Sequence, residues 1–181
     1  MSKQILASIK IFSGAVFSVT RDQLRETSGQ EITREVVNHS GGAGGVALFE
    51  DGRIALVRQY RHPAKKDLLE IPAGKIDDGE APETCAAREI EEELGFRVGR
   101  LEKLAEFYSS PGFCEEKLYV YLATELVPTQ QRLDHDENVE LVFVTLDEAL
   151  LMIRGGEIED AKTIIALMLT KQKLSATDVY V

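Results

Sequence analysis

The sequence predicts an α+β fold in which helices pack on the faces of a mixed β-sheet. Two observations support this class: short apolar segments bounded by turn residues alternate with helical segments, and 181 residues suit one domain with a small addition. A glycine-rich run at residues 41–45 interrupts the chain. We place a boundary there, between an N-terminal β-sheet segment at residues 1–40 and a main domain at residues 41–181.

The N-terminal segment predicts a small antiparallel sheet. Residues 15–20 are short of charge and rich in β-branched and aromatic side chains, which favours a strand. Residues 27–30 carry a turn signal, and residues 32–37 suit the returning strand.

The main domain begins with a predicted hairpin and contains three predicted helices. Asp51 and Gly52 lie between two apolar runs, which is one of the strongest hairpin signals. Residues 82–94 read as a helix, because Pro82 suits a first helical turn and Gly95 suits a C-cap. Further strands are predicted near residues 103–108, 117–123 and 139–144, and further helices at residues 145–155, after a capping box, and 160–174.

The composition disfavours several classes of partner. Thirty-one acidic residues against 21 basic ones give a formal charge of −10, which opposes non-specific binding to nucleic acid or to an anionic membrane. The longest stretch without a charged residue, residues 36–49, is too short to span a bilayer. Lysines interrupt the apolar residues of the N-terminus, and only two cysteines occur, so we expect neither a secretory signal nor a disulfide framework. These observations predict a cytoplasmic protein.

The acidic residues concentrate in the segment at residues 74–95, which holds eight acids against two bases. On the predicted helix, Glu89, Glu92 and Glu93 share one face, while apolar residues share the opposite face. Like charges one turn apart destabilise a helix, so a bound cation would explain the arrangement, and Mg²⁺ prefers oxygen ligands. The charge pattern alone also fits an acidic helix face in solvent.

The order of residues in this segment narrows the interpretation. Gly74 is followed after five residues by Glu80 and after seven more by residues 88–96, which read Arg-Glu-Ile-Glu-Glu-Glu-Leu-Gly-Phe. This pattern resembles, at every fixed position, the signature of the Nudix hydrolases. The resemblance implies an α/β/α sandwich around a mixed sheet, and hydrolysis of a diphosphate linked to another group with Mg²⁺ or Mn²⁺. Within it, Glu80 would hold the loop against the helix.

The resemblance also implies roles for residues of the motif. Glu89 and Glu93 would be direct metal ligands, together with the backbone carbonyl of Ala73. Glu92 would bind a further metal or act as a base. Arg88 would orient the carboxylates by charge-assisted hydrogen bonds.

The flanking sequence resembles the ADP-ribose pyrophosphatase group of this family. Pro111 lies sixteen residues after Gly95, at the offset that marks the group. Further similarity covers residues 34–37, 57–61, 69–74 and 160–163. The resemblance implies cleavage of ADP-ribose to AMP and ribose 5-phosphate. It also implies a homodimer in which the N-terminal sheet reaches the substrate site of the partner.

Five residues are predicted at the substrate: Arg34, Arg61, Pro111, Gly112 and Glu116. Arg61 is expected to contact phosphate, because its planar guanidinium suits phosphate geometry. Arg34 is expected to reach the adenosine end, and a surface arginine is the alternative for each. Glu116 matches a family glutamate near the ribose, although Glu115 beside it fits nearly as well.

The general base is expected on the acidic loop at residues 133–140. Glu137 is the prediction, with Asp136 and Glu140 as rivals, because a carboxylate on a loop can close over the substrate and accept a proton. A merely solvated acidic loop is the alternative.

The adenine-stacking residue is left unassigned by the sequence. Ala15 stands where some family members carry an aromatic side chain. Phe12 or Phe17 would substitute, and Phe113 is another candidate wall of the pocket.

Two other functions stay open at this point. One is hydrolysis of another nucleoside diphosphate sugar, such as GDP-mannose, since sugar choice depends on pocket walls that a motif does not encode. The other is a non-catalytic module that binds ADP-ribose to regulate a partner, although such modules usually lose acids that this chain keeps.

Overall fold

The computed structural model describes residues 4–133 and 138–177, within which the chain forms ten strands and three helices. The elements are β1 (Gln4–Ser13), β2 (Ser18–Arg25), β3 (Glu31–Asn38), β4 (Gly42–Leu48), β5 (Arg53–Arg61), β6 (Lys66–Glu70), β7 (Ala73–Lys75), α1 (Pro82–Leu94), β8 (Phe96–Tyr108), β9 (Lys117–Pro128), β10 (Val139–Thr145), α2 (Leu146–Gly155) and α3 (Ala161–Thr177).

The strands form two sheets. β1, β2 and β3 make an antiparallel sheet in that order, as expected for the N-terminal segment. The seven-stranded sheet has the order β10-β5-β4-β9-β8, with β6 paired to β5 and β7 paired to β4. With its three helices this arrangement confirms the predicted α+β class.

The chain divides into two compact units. The first contains the chain up to Gly41 together with Phe107–Leu118, and the second contains Gly42–Glu106 and the chain from Tyr119. In the first unit, the amide of Val37 donates to the carbonyl of Phe113 at 2.8 Å, and the amide of Glu115 donates to the carbonyl of Val37 at 3.0 Å. A segment distant in sequence therefore packs beside β3. The domain boundary near residue 40 stays a prediction.

The glycine-rich run belongs to a buried strand, β4, rather than to a connecting segment. Its glycines let β7 approach closely: a Cβ at Gly44 would lie 2.4 Å from the carbonyl oxygen of Pro72. The amide of Gly45 donates to that same carbonyl at 3.1 Å. Two short strands, β6 and β7, lie between β5 and α1, where no strand was predicted from the sequence.

Helix α1 has the predicted bounds. Pro82 stands in its first turn, and Gly95 ends it in the left-handed conformation with φ of 73°. Ile90 and Leu94 pack into an apolar core with residues of β4, β5 and β9, so the helix presents its acidic face away from that core. The predicted capping box of α2 is present, with Thr145 and Glu148 bonded reciprocally. No helix among the described residues is long and apolar enough to cross a bilayer.

Candidate active site

The acidic face of α1 carries three carboxylates, those of Glu89, Glu92 and Glu93. Glu89 is 8% exposed and Glu93 is 2% exposed, while Glu92 is about half-buried. Burial of a carboxylate costs free energy unless hydrogen bonds or positive charge compensate for it. The arrangement therefore requires cationic partners close to this face.

Arg88 is the cationic partner that the structure shows. Its Nη1 donates to Glu89 Oε1 at 2.7 Å and to Glu92 Oε2 at 2.9 Å. Its Nε and Nη2 donate to the two oxygens of Glu80 at 3.0 and 3.1 Å. We call these four residues the acidic cluster. The hydrogen bond from Arg88 holds the pKa of Glu80 below its ordinary value, and the hydrogen bond with Glu80, followed by those with the other two acids, raises the pKa of Arg88.

Glu80 also ties the preceding loop to the helix. The amide of Asp77 donates to Glu80 Oε2 at 3.1 Å, and the amide of Glu80 donates back to the carbonyl of Asp77 at 3.0 Å. This is the structural position that the sequence analysis expected for Glu80.

Glu89 packs directly against the glycine that opens the motif. A Cβ built at Gly74 would lie 1.9 Å from Glu89 Oε1, so the carboxylate occupies the space that any other residue would fill. Ala73, whose carbonyl is the predicted ligand, precedes this glycine and pairs with Gly44 of β4. This contact was not predicted from the sequence, where the glycine at position 74 is the only sign of it.

Oxygen donors of this kind fit a hard divalent cation such as Mg²⁺. Within residues 4–133 and 138–177, however, no three acidic, histidine or cysteine side chains already converge in a closed ligand cage. Glu89 and Glu92 point to Arg88 instead. Because Glu92 is only half-buried, its carboxylate could turn from Arg88 to a cation without breaking the fold.

A second charged cluster lies in the same unit, and in it one carboxylate contacts two cations. Glu70, at the end of β6, is 2% exposed. Arg61 pairs with it through Nε at 2.7 Å and Nη2 at 2.9 Å, and Lys162 of α3 pairs with it through Nζ. We call Arg61, Glu70 and Lys162 the Glu70 cluster. Burial opposes ionisation of Glu70, but the two cations outweigh it and hold its pKa below the ordinary value.

The start of α3 anchors this cluster. Asp160 Oδ2 accepts from the amide of Thr163 at 2.9 Å and from its hydroxyl at 2.6 Å, and it lies 3.1 Å from Lys162 Nζ. The hydroxyl oxygen of Thr163 accepts in turn from the amide of Ile71 at 2.9 Å. The sequence analysis noted residues 69–74 and 160–163 but gave Glu70 and Lys162 no role. An acid within an apolar strand was the available signal.

The Glu70 cluster lies near Glu93, which is on the acidic face of α1. Arg61 has its pKa raised first by hydrogen bonding to Glu70, and also by the nearby carboxylates of Glu93 and Asp160. A cation for phosphate and acids for a metal therefore lie in one region of the second unit.

The first unit contains a separate cavity of about 420 Å³ between β2, β3 and the segment before β9. Arg34, Pro111 and Gly112, all predicted at the substrate, line it together. Glu115 lines it as well, whereas the carboxylate of Glu116 lies 3.7 Å from His39 Nδ1. The structure thus places the rival residue, and not Glu116, on the cavity wall.

The predicted general base falls outside the described residues, as does its rival Asp136. The other rival, Glu140, is on β10, where it is exposed and lies 3.4 Å from Arg58 Nε. Among the aromatic candidates, Phe12 and Phe17 contact each other with ring centroids 5.5 Å apart, and Phe113 is largely exposed.

Comparison with known proteins identifies the family. A family model described as NUDIX domain matches residues 39–167. A protein of Bacillus subtilis named ADP-ribose pyrophosphatase is 39% identical over 175 residues, which cover 96% of this chain and 95% of that protein. A Bacillus methanolicus protein named methanol dehydrogenase activator is 42% identical over 160 residues, covering 87% of this chain and 86% of the relative.

Comparison with solved structures confirms the expected fold. The crystal structure of an ADP compounds hydrolase superposes with a TM-score of 0.86 at 22% identity, covering 98% of this chain and 96% of that one. Because the matched region includes the whole segment that carries the acidic helix, the resemblance of the motif is not a local coincidence. This chain belongs to the Nudix hydrolase family.

Proposed function

We propose that this protein hydrolyses the diphosphate of ADP-ribose to AMP and ribose 5-phosphate in a reaction that requires a divalent metal ion. The observation that carries the proposal is that two buried carboxylates on one face of α1, Glu89 and Glu93, lie near a partly exposed guanidinium, Arg61, that suits phosphate. The name of the Bacillus subtilis relative, which is similar over almost the whole chain, supports the choice of substrate.

Glu89, Glu93 and the carbonyl of Ala73 would hold Mg²⁺ or Mn²⁺, and Glu92 would bind a further ion or accept a proton. A bound divalent ion neutralises the charge of a diphosphate and lowers the pKa of bound water. Arg88 would keep Glu89 and Glu92 oriented and would limit their mutual repulsion. The strongly acidic face thus serves an anionic substrate only when a cation is bound to it.

Arg61 would donate to the diphosphate, because the fork of its guanidinium matches phosphate oxygens. Glu137 would accept a proton from the attacking water, with Asp136 and Glu140 as the rival bases. At the nucleoside end, Arg34, Pro111 and Gly112 would bind the adenosine portion, and Glu116 or Glu115 would bind near the ribose.

We also propose that the protein is a homodimer formed through its N-terminal sheet. β1 is an edge strand that exposes Ile5, Ile9 and Ile11, each to at least 47%. Exposed apolar patches and open strand edges are typical of surfaces that associate. Light scattering of the wild type and of Ile9→Lys tests this: a dimer that becomes a monomer supports it, and a wild-type monomer contradicts it.

The experiment that tests the function is a substrate panel run with Mg²⁺ and with EDTA. ADP-ribose, GDP-mannose, UDP-glucose, NADH and diadenosine polyphosphates would be compared by kcat/KM, with products identified by mass. We expect AMP and ribose 5-phosphate, formed fastest from ADP-ribose, and no products in EDTA. Faster cleavage of another nucleotide would overturn the substrate, and tight ADP-ribose binding without turnover would indicate a regulatory role.

A further inference from the structure

The three members of the Glu70 cluster differ sharply in exposure. Glu70 is 2% exposed and Lys162 is 14% exposed, whereas Arg61 is 38% exposed. Only Arg61 therefore has a substantial surface with which to touch a ligand. The other two side chains are available to hold Arg61, and not to bind a ligand directly.

The pairing fixes the direction of the Arg61 guanidinium. Nε and Nη2 donate to the two carboxylate oxygens of Glu70, so this bidentate pair fixes both the plane of the guanidinium and its rotation within that plane. Nη1 lies on the side of the guanidinium that Glu70 does not occupy. A carboxylate in this position acts as a rigid support that points the remaining donors of Arg61 in one direction.

The charges around Glu70 balance. Lys162 gives the buried carboxylate a second cationic partner, and Asp160, which lies 3.1 Å from Lys162 Nζ, offsets the added charge. Asp160 is itself held by two hydrogen bonds from Thr163. Lys162 therefore contributes a second contact that fixes the Glu70 carboxylate, and the partly exposed Arg61 is the cation of the four side chains that can reach a ligand.

The support is itself anchored at three points. Glu70 ends β6, the amide of Ile71 donates to Thr163, and the carbonyl of Pro72 accepts from Gly45. The residue that follows is Ala73, whose carbonyl is one of the proposed metal ligands. One short segment thus joins the phosphate side of the site to its metal side.

We propose that Glu70, backed by Lys162, is a positioning residue that presents Arg61 to the diphosphate of the substrate. The role goes beyond the proposed function, on which it rests only in that the ligand is a diphosphate. In this role Glu70 orients Arg61 for ligand binding, whereas a purely structural ion pair would only stabilise the fold.

A double-mutant cycle tests the proposal. The probe is imidodiphosphate, which carries no nucleoside and whose P–N–P bridge resists hydrolysis. Its affinity is measured by calorimetry with Mg²⁺ present. We expect Arg61→Ala to weaken binding by about tenfold or more, and Glu70→Gln by about threefold to tenfold. Because Glu70 acts through Arg61, adding Glu70→Gln to Arg61→Ala should cause no further loss. Losses that multiply would overturn the proposal.

Two further variants keep the test decisive. Arg61→Lys leaves Glu70 in place and keeps the charge but cannot form the bidentate pair, so we expect about fivefold weaker binding. Affinity within about twofold of the wild type would overturn the proposal even if Glu70→Gln fails to fold. Glu159→Gln, which breaks the exposed pair with Lys66 at the opposite end of β6, is the matched control and should leave affinity unchanged. The probe lacks adenosine and ribose. If the substrate panel shows no cleavage of ADP-ribose, the proposed function fails, but the affinities measured in the double-mutant cycle can still be interpreted.

Discussion

The two charged clusters of the second unit have central groups of opposite charge. In the acidic cluster one arginine, Arg88, contacts three carboxylates. In the Glu70 cluster one carboxylate contacts two cations. The acidic cluster therefore has two more negative than positive charges, whereas Asp160, 3.1 Å from Lys162 Nζ, balances the extra cation of the Glu70 cluster. The first arrangement suits a metal ion, and the second presents the partly exposed Arg61 to a phosphate.

The clusters also differ in which group is buried. The central arginine of the acidic cluster is about one-third exposed, so its carboxylate partners can exchange it for another cation. The central carboxylate of the Glu70 cluster is fully enclosed, so its partners cannot leave without stranding a buried charge. The difference indicates an adjustable site for the metal and a rigid site for the phosphate.

The largest effect is expected from removing a buried charge of the metal side. Glu93→Gln keeps the side-chain volume but removes a negative charge from the proposed metal site. We expect kcat to fall by on the order of 10³-fold, because metal-assisted charge stabilisation contributes several kcal/mol. Steady-state kinetics across a Mg²⁺ titration measures this.

Glu91→Gln is the matched control for that variant. Glu91 lies on the same helix, two residues earlier, but its carboxylate lies 3.6 Å from Arg132 Nη2. We expect its activity to stay within about twofold of the wild type, since exposed ion pairs contribute little. Equal losses in the two variants, or an active Glu93→Gln, would show that the buried carboxylate holds no metal.

A smaller effect is expected from the central arginine of the acidic cluster. Arg88→Gln leaves three carboxylates without their shared cation, so their orientation is lost while their charge stays. We expect kcat/KM to fall by about 10-fold to 100-fold, as for other residues that orient metal ligands. A higher Mg²⁺ concentration should restore part of the loss, because the metal then replaces the missing charge. A loss that Mg²⁺ does not change would place Arg88 on the substrate instead.

The sequence predicted the acidic cluster far better than the Glu70 cluster, and the reason is local geometry. Glu89, Glu92 and Arg88 lie within five residues on one helix, so helical periodicity alone brings them together. Arg61, Glu70 and Lys162 come from two strands and a helix, and only tertiary pairing joins them. Nothing in the local pattern around Lys162 encodes its partner 92 residues away.

The same distinction explains the outcomes for the fold. Helix α1 and the capping box of α2 depend on residues a few positions apart, and both were predicted correctly. β6 and β7 were missed because they are short and gain their hydrogen bonds from β5 and β4. The sequence did not reveal that most of the glycine run forms β4, because the close approach of Pro72 to Gly44 depends on tertiary packing.

Two glycines allow the metal side to be separated from the general stability of the fold. At Gly74 the nearest atoms to a Cβ would be those of the Glu89 carboxylate, which ends a flexible side chain, whereas at Gly44 they would be the carbonyl of Pro72 and the Cα and Cβ of Ala73. We expect Gly44→Ala to lower the free energy of unfolding by about 1–3 kcal/mol, as overpacking does. Gly74→Ala should lose less stability but should weaken Mg²⁺ binding. Denaturant unfolding and Mg²⁺ calorimetry of both variants measure these effects. A Gly74→Ala variant that loses stability but keeps its Mg²⁺ affinity would contradict the prediction.

The smallest effect is the acid sensitivity that the Glu70 cluster confers. The pKa of Glu70 is lowered in the folded protein from an ordinary value of 4.5, despite burial, by Arg61 and Lys162. Its contribution to stability is therefore present above about pH 4.5 and is lost as the pH falls through the folded pKa. Between about pH 6 and about pH 4, the free energy of unfolding of the wild type should fall further than that of Glu70→Gln, which has no carboxylate to protonate. Denaturant unfolding at the two pH values measures this, with Glu159→Gln as a control that should follow the wild type, because its ion pair is exposed. If the free energies of unfolding of Glu70→Gln and the wild type instead change equally with pH, the Glu70 carboxylate does not hold the two cations in solution. The Glu70 cluster would then not be the rigid site that the comparison requires.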